Sequence, residues 1–216
     1  MNVINLYTDK SKEYYSNTRQ DIFSFVPSEI KHVLDVGCGS GYFGKFLKER
    51  LGCTVWGVEP DVDSALEAKQ NIDNVLNCPF DRHIALQSQK FDCIFFNDVL
   101  EHLIDPYQTL KYAQELLLPN GYIISSIPNI LHFFTIYNIL KTQDWKYEDA
   151  GILDKTHIRF FTKKSIIRLH EDCGLKIINI QGINATYGKK YNILNFLLRN
   201  AIKDMRYIQF VTVAKK

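Results

Sequence analysis

The sequence predicts an α/β fold, a doubly wound parallel sheet with helices on both faces. Three observations carry this. Apolar runs of strand length alternate with segments whose apolar residues recur at helical spacing. That order calls for parallel strands joined by right-handed crossovers. The first strand also runs directly into a glycine-rich turn that opens a helix.

Residues 32–37, HVLDVG, read as a buried strand. From Tyr42 to Leu51 the residues Phe43, Phe46 and Leu47 share a helix face, and Gly52 stops it. Residues 53–58, CTVWGV, are a second strand. Asp61 is placed to cap a helix in which Ala65, Leu66 and Ala68 face inward. A weak third strand lies near Val75–Leu76, and residues 91–96, FDCIFF, are the fourth. Asp105 and Pro106 form an N-cap and first helical residue, and that helix runs to the turn Pro119-Asn120-Gly121. Strand five is 122–127, stopped by Pro128. Ser165 to Cys173 is helical with Gly174 at its end, and strands six and seven are 175–180 and 207–214. Three stretches exceed simple connections: the segment before Val33, residues 128–162 and residues 182–204. Excursions of that length tend to carry function. The chain reads as one domain over 1–216, with an N-terminal helical lid segment at 1–31 and a substrate-pocket insertion at 128–162.

Composition narrows the function. With 46% hydrophobic and 23% charged residues over 216 positions, the chain can bury a real core, which excludes disorder as its main state. The net charge of +2 gives no support for nucleic-acid or membrane electrostatics. Five scattered cysteines without a C-x-x-C pair predict neither disulfides nor a metal site, and they suit a reducing cytoplasm. No signal peptide or membrane span is read, because Leu116–Leu140 is broken by prolines, asparagines and a glycine.

Asp35, Gly37, Gly39 and Gly41 make D-x-G-x-G-x-G between strand and helix. Glycine lets the backbone turn sharply and approach a ligand, and the helix start offers unpaired N–H groups. The dinucleotide fingerprint needs glycine at 42, where Tyr42 stands, and no G-K-[ST] follows for a P-loop. Glu59 ends the second strand about twenty residues on, where an acid can hold ribose hydroxyls. A tight turn without a ligand would not need that acid.

VLDVGCGSGYFG, WGVEPD, FDCIFFNDVLEHLIDP and LLLPNGYIISSIPN together resemble the motif series of the class I S-adenosylmethionine-dependent methyltransferases, over roughly residues 13–181. The match is closest to the small-molecule branch with L-E-H-L and D-x-T-H-x-R-F-F-T motifs. The resemblance implies a Rossmann-like methyltransferase fold, with seven strands in the order 3-2-1-4-5-7-6 and strand seven antiparallel. It implies S-adenosylmethionine as cofactor, with Asp35, Gly37, Cys38, Gly39 and Gly41 around its methionine part. Glu59 would hold the ribose and Asn97 would lie near the sulfonium and amino group, with Pro60 and Asp98 also on the cofactor. Asp81 is shifted from the family's usual adenine-contacting acid, so Phe80 stands as the adenine contact, against a plain core role. Tyr14, Tyr15 and Arg19 match a Y-Y-x-x-x-R segment of that branch. Tyr15 and Arg19 are then expected on the cofactor and Tyr14 on the acceptor, against a helix that merely packs.

Methyl transfer from a sulfonium is an in-line displacement, so the protein mainly positions the acceptor and excludes water. A hydroxyl or amine acceptor gains roughly 10²–10⁴-fold from a base. His102 and His157 are the candidates. His157 is the preferred base, against a structural histidine paired with Asp154. Alternation places His157 and Arg159 on one face, with Arg159 gripping a phosphate or carboxylate. Asn129 and His132 are the other substrate candidates, and residues 130–140 are read as a roof over the pocket. The expected reaction is methylation of an oxygen on a small polar acceptor: a sugar, a nucleotide-linked sugar or a phosphorylated metabolite. A quinone- or lipid-like acceptor, an RNA or protein substrate, and an inactive cofactor-binding partner compete with it. A dehydrogenase is set aside on the misplaced third glycine. The protein is expected as a monomer or homodimer.

Overall fold

The computed structural model describes residues 19–86 and 88–216. Seven strands form one sheet: β1 (His32–Val36), β2 (Thr54–Val58), β3 (Asn74–Leu76), β4 (Phe91–Asn97), β5 (Leu117–Pro128), β6 (Lys176–Ala185) and β7 (Tyr207–Lys215). Their order is β3-β2-β1-β4-β5-β7-β6, as the resemblance implies. β7 runs antiparallel to both neighbours, and the remaining pairs are parallel.

Each central strand is buried on both faces, so it reads as a continuous apolar run. Side chains alternate between two cores. Leu34, Val36, Ile94, Phe96, Ile123 and Phe210 belong to one. Val33, Cys93, Phe95, Ile124 and Val211 belong to the other. Helices cover the two faces, and each starts and stops for a local reason. α1 (Tyr42–Leu51) ends at Gly52, whose φ of 64° lets its N–H reach Lys48 O. It buries Phe43 and Leu47, four residues apart. α2 (Val62–Ala68) is capped by Asp61, which accepts from Ser64 N. α3 (Pro106–Leu116) is capped by Asp105 with Pro106 in its first turn. α5 (Lys163–Asp172) begins in a capping box between Thr162 and Ser165.

The structure differs from the sequence reading in several places. Leu66 points outward at 55% exposed, while Ala65 and Ala68 are buried. β5 begins at Leu117, so the Pro119-Asn120-Gly121 turn interrupts pairing as a register shift against β4 instead of preceding the strand. β6 continues to Ala185, because β7 offers it an antiparallel partner along its length. The excursions at 128–162 and 182–204 each hold an α-helix, α4 (Phe133–Thr142) and α6 (Lys189–Leu197). These two pack on each other through Phe133 and Tyr191, whose ring centroids are 5.4 Å apart. Most of the lid segment at 1–31 lies outside the described residues. From Arg19 it continues as a 3₁₀ turn, Gln20–Phe25, that buries Ile22.

Candidate active site

A cavity of about 770 Å³ opens at the carboxyl ends of β1, β2 and β4. The chain turns away from β1 to β2 on one side and to β4 on the other, and open α/β sheets bind ligands at such a switch point. Asp35, Gly37, Cys38, Gly39, Glu59 and Pro60 line it on one side. Phe80, Asn97, Asp98, Glu101, His102 and His157 line it as well.

The glycine turn follows from backbone geometry. Gly37, Gly39 and Gly41 have φ of 70°, 53° and 78°, the left-handed region. A Cβ on Gly37 would stand 2.7 Å from Val99 Cγ2, so a side chain there would meet the cavity wall. Glu59 organises the turn. Its carboxylate accepts from Gly39 N and Asp61 N, both at 2.9 Å. Each oxygen keeps a lone-pair direction for a ligand hydroxyl. Burial pushes the Glu59 carboxyl up from its ordinary value, and the two N–H donors pull it back. Asp35 sits behind the turn with its pKa pushed up to about 7, by burial first and then by the negative charge of Glu59, against the opposing pull of Arg19. Burial pushes the Cys38 thiol up strongly, so it is a neutral, packed wall group.

At the end of β4, both amide atoms of Asn97 are buried, and neither has a hydrogen-bond partner among the described residues. A buried amide without partners is costly unless a ligand completes it. Asp98 follows in the left-handed region with φ 55°. It is held there by Arg19, whose guanidinium donates to Asp98 Oδ2 and to Ser126 Oγ. Gln209 Nε2 donates to Asp98 Oδ1 at 2.5 Å.

Beyond Asp98, residues Leu100–His102 form a 3₁₀ turn that buries Glu101 at 1% exposed. Residues 156–159 are stitched to this turn. Ile158 N and Arg159 N both donate to Glu101 O at 3.1 Å. His102 Nδ1 meets Thr156 O at 3.1 Å. His157 Nδ1 meets Ile152 O at 3.0 Å. A carbonyl only accepts, so each ring carries a proton on Nδ1, and in the neutral imidazole the lone pair is then on Nε2. His157 Nε2 is 3.8 Å from Glu101 Oε1, and the two imidazole centroids are 4.7 Å apart. Burial, and then the charge of Asp98, push the Glu101 carboxyl well above the ordinary carboxylate range.

Several expected site residues stand elsewhere. Arg159 is exposed and spends its guanidinium on the carbonyls of Leu103 and Ile104. It lies outside the cavity lining; the chain enters His157 from a turn, with His157 N donating to Asp154 O, instead of as the extended segment the alternation implied. The case for a phosphorylated acceptor leaned on Arg159 and loses that support. Asn129 is buried and ties β7 to the excursion, donating to Tyr207 O and accepting from Leu131 N. His132 is the N-cap residue of α4, bridging Thr135 Oγ1 and Thr186 Oγ1, and burial lowers its pKa. α4 contributes no described residue to the cavity wall, so the expected roof is formed instead by 150–152, 154 and 157. Phe80 lines the cavity and packs on Phe96 and Tyr112. Asp81 is exposed and accepts from His83 N. Asp154 accepts from the N–H and hydroxyl of Thr156. Tyr14 and Tyr15 lie outside the described residues.

The sequence reading missed Gln209 and Ile208 of β7, Asp61 to Asp63 at the start of α2, and Glu101 as a cavity residue. A glutamine inside the apolar run YIQFVTVA was the available signal for Gln209.

The wall fits S-adenosylmethionine: a glycine cradle that a Cβ would fill, an acid at the end of β2 and an orphaned buried amide. A family model described as "Methyltransferase domain" matches residues 9–180. The ubiquinone biosynthesis O-methyltransferase of Coxiella burnetii (strain RSA 331 / Henzerling II) is 29% identical over 161 residues, 71% of this chain and 67% of that protein. A SAM dependent methyltransferase from Archaeoglobus fulgidus superposes with TM-score 0.66 at 20% identity, covering 99% of this chain and 98% of the other. A SAM-dependent methyltransferase from Thermotoga maritima gives 0.69 at 19% identity and 99% of both chains, and at such identities the likeness shows the fold alone. With the family match spanning most of its length, this chain belongs to the class I S-adenosylmethionine-dependent methyltransferases.

Proposed function

We propose that the chain methylates a hydroxyl oxygen on an apolar, quinone-like aromatic acceptor. The observation that carries this reading is the character of the cavity away from the glycine turn. Val99, Leu103, Pro128, Ile152 and Ile208 line it there. Among the described lining residues Arg19 is the only lysine or arginine, and it pairs with Asp98. A phosphate or nucleotide-linked acceptor would want an available cation, whereas an aromatic ring suits this wall. The Coxiella relative, named for ubiquinone biosynthesis, supports the same class of acceptor.

When bound, S-adenosylmethionine supplies the methyl group on a sulfonium sulfur. The residues of the glycine turn, with Glu59 and Asn97, hold and orient it. His157 takes the acceptor's hydroxyl proton at Nε2, while Ile152 O fixes the ring through Nδ1. The imidazolium so formed lies 3.8 Å from Glu101 Oε1, and its charge draws that buried carboxyl toward the ionised form.

The test is a paired assay with labelled S-adenosylmethionine. One arm offers a catechol bearing an isoprenoid chain in detergent, the other a nucleotide-linked sugar. Transfer to the phenolic oxygen is expected. Transfer to the sugar with none to the phenol would sink the reading.

A further inference from the structure

We propose that Glu101, His102 and His157 form a binding site for a divalent cation in the cavity wall. Their ligand atoms all lie within 4.8 Å of one another. A four-coordinate cation with bonds near 2.1 Å needs ligand atoms roughly 3.4 Å apart, within reach of small side-chain rotations. The second observation is the state of each ligand. Glu101 is 1% exposed, and neither of its oxygens has a hydrogen-bond partner among the described residues. Both imidazoles donate Nδ1–H to a backbone carbonyl, Thr156 O and Ile152 O. That is the outer-shell arrangement which orients a ligating histidine and turns Nε2 to the cation. The third is rigidity. The bonds from Ile158 N and Arg159 N to Glu101 O hold the two segments together before any cation arrives.

Two imidazoles and one carboxylate suit Zn²⁺, Mn²⁺, Co²⁺ or Fe²⁺ better than Mg²⁺ or Ca²⁺. All three residues line the cavity, so the remaining coordination positions face the acceptor space. One consequence rests on the hydroxyl acceptor proposed above. An acceptor oxygen bound there would be acidified by the cation: its O–H bond would break with the proton passing to water, and the oxyanion would attack the methyl carbon as the carbon–sulfur bond breaks and S-adenosylhomocysteine leaves. His157 is then a ligand, and the cation takes over the proton-removing role given to its ring. The cysteine spacings predicted no metal site. The cluster was invisible to them because its third member comes 55 positions after the second.

The experiment reads the cation directly and needs no acceptor. Chelator-stripped protein is titrated with Co²⁺ and followed by calorimetry, visible absorption and proton NMR. One saturable equivalent is expected. It should bring two hyperfine-shifted, exchangeable imidazole N–H signals, from the two Nδ1 protons. Glu101→Gln and His157→Asn should weaken binding by ~100-fold or more, since even outer-shell partners are worth roughly 10–100-fold. Absence of saturable uptake by the wild type overturns the proposal, as does wild-type affinity in Glu101→Gln. Should the variants fail to fold, the wild-type spectrum decides, because fewer than two shifted N–H signals also overturns it. Methylation that persists in chelator, with no Co²⁺ uptake, removes the cation and leaves the acceptor reading standing.

Discussion

Asp35 links cofactor binding to pH. Its carboxyl titrates near pH 7 in the fold and at 3.8 when unburied. Between these values the folded chain holds a proton that the unfolded chain has lost, so this residue's contribution to stability falls as pH rises through the window. A cationic cofactor favours the ionised form. Affinity for S-adenosylmethionine should therefore rise from pH 5.5 to 7.5 and level off above. Asp35→Asn should flatten that profile in calorimetric titrations; an unchanged slope would place the titration on another group. Glu59→Ala removes an acceptor from two backbone N–H groups as well as from a ribose. We expect a loss of ~100-fold or more in affinity for S-adenosylhomocysteine, from about 1–3 kcal/mol for each orphaned group. For His157→Asn the expectation is a fall in kcat of roughly 10²–10⁴-fold with cofactor affinity near wild type. A change in affinity alone would make the ring structural.

The β1–α1 turn works because three residues accept left-handed backbone, and it tolerates little change. Gly37→Ala combines a φ of 70° with a 2.7 Å approach to Val99 Cγ2. It should cost roughly 1–3 kcal/mol of stability, by the usual scale of strained backbone, and cofactor affinity should fall with it. A thermal melt and a titration read both. The stitched segment 154–159 makes the complementary case. Arg159 does not itself line the cavity, yet its guanidinium holds the chain to Leu103 and Ile104. Arg159→Ala should lower kcat through loss of His157 placement and leave S-adenosylhomocysteine affinity within about 3-fold, as expected of remote positioning. A raised acceptor KM with intact kcat would return Arg159 to substrate binding.

Across the whole molecule, stability and surface are separable. Leu34, Ile94 and Phe96 are fully buried between β-sheet and helices. Ile94→Ala should cost about 2–5 kcal/mol. α6 instead exposes Phe196 at 81%, Leu197 at 68% and Ile193 at 62%. Phe196→Ser should leave the melting temperature and the methylation rate near wild type; a drop of several degrees would show that this face is covered. No helix among the described residues is long and apolar enough to cross a membrane.

The fold was legible because its signals are local. Strand-length apolar runs, Asp61, Asp105 and Thr162 as caps, and glycines at left-handed positions all act within a few residues of where they stand. The cofactor side was legible for the same reason: its residues sit at strand ends, and the sheet order sets strand ends side by side. The acceptor side was not. Arg159, Asn129 and His132 are polar residues in long excursions, and sequence alone does not say whether such a group meets a ligand or a backbone carbonyl. Each found backbone or hydroxyl partners outside the cavity. Glu101, His102 and His157 converge only because residues 156–159 fold back onto the 3₁₀ turn after β4. Contacts between distant segments depend on how excursions cross the sheet's carboxyl edge, and only the folded chain decides that.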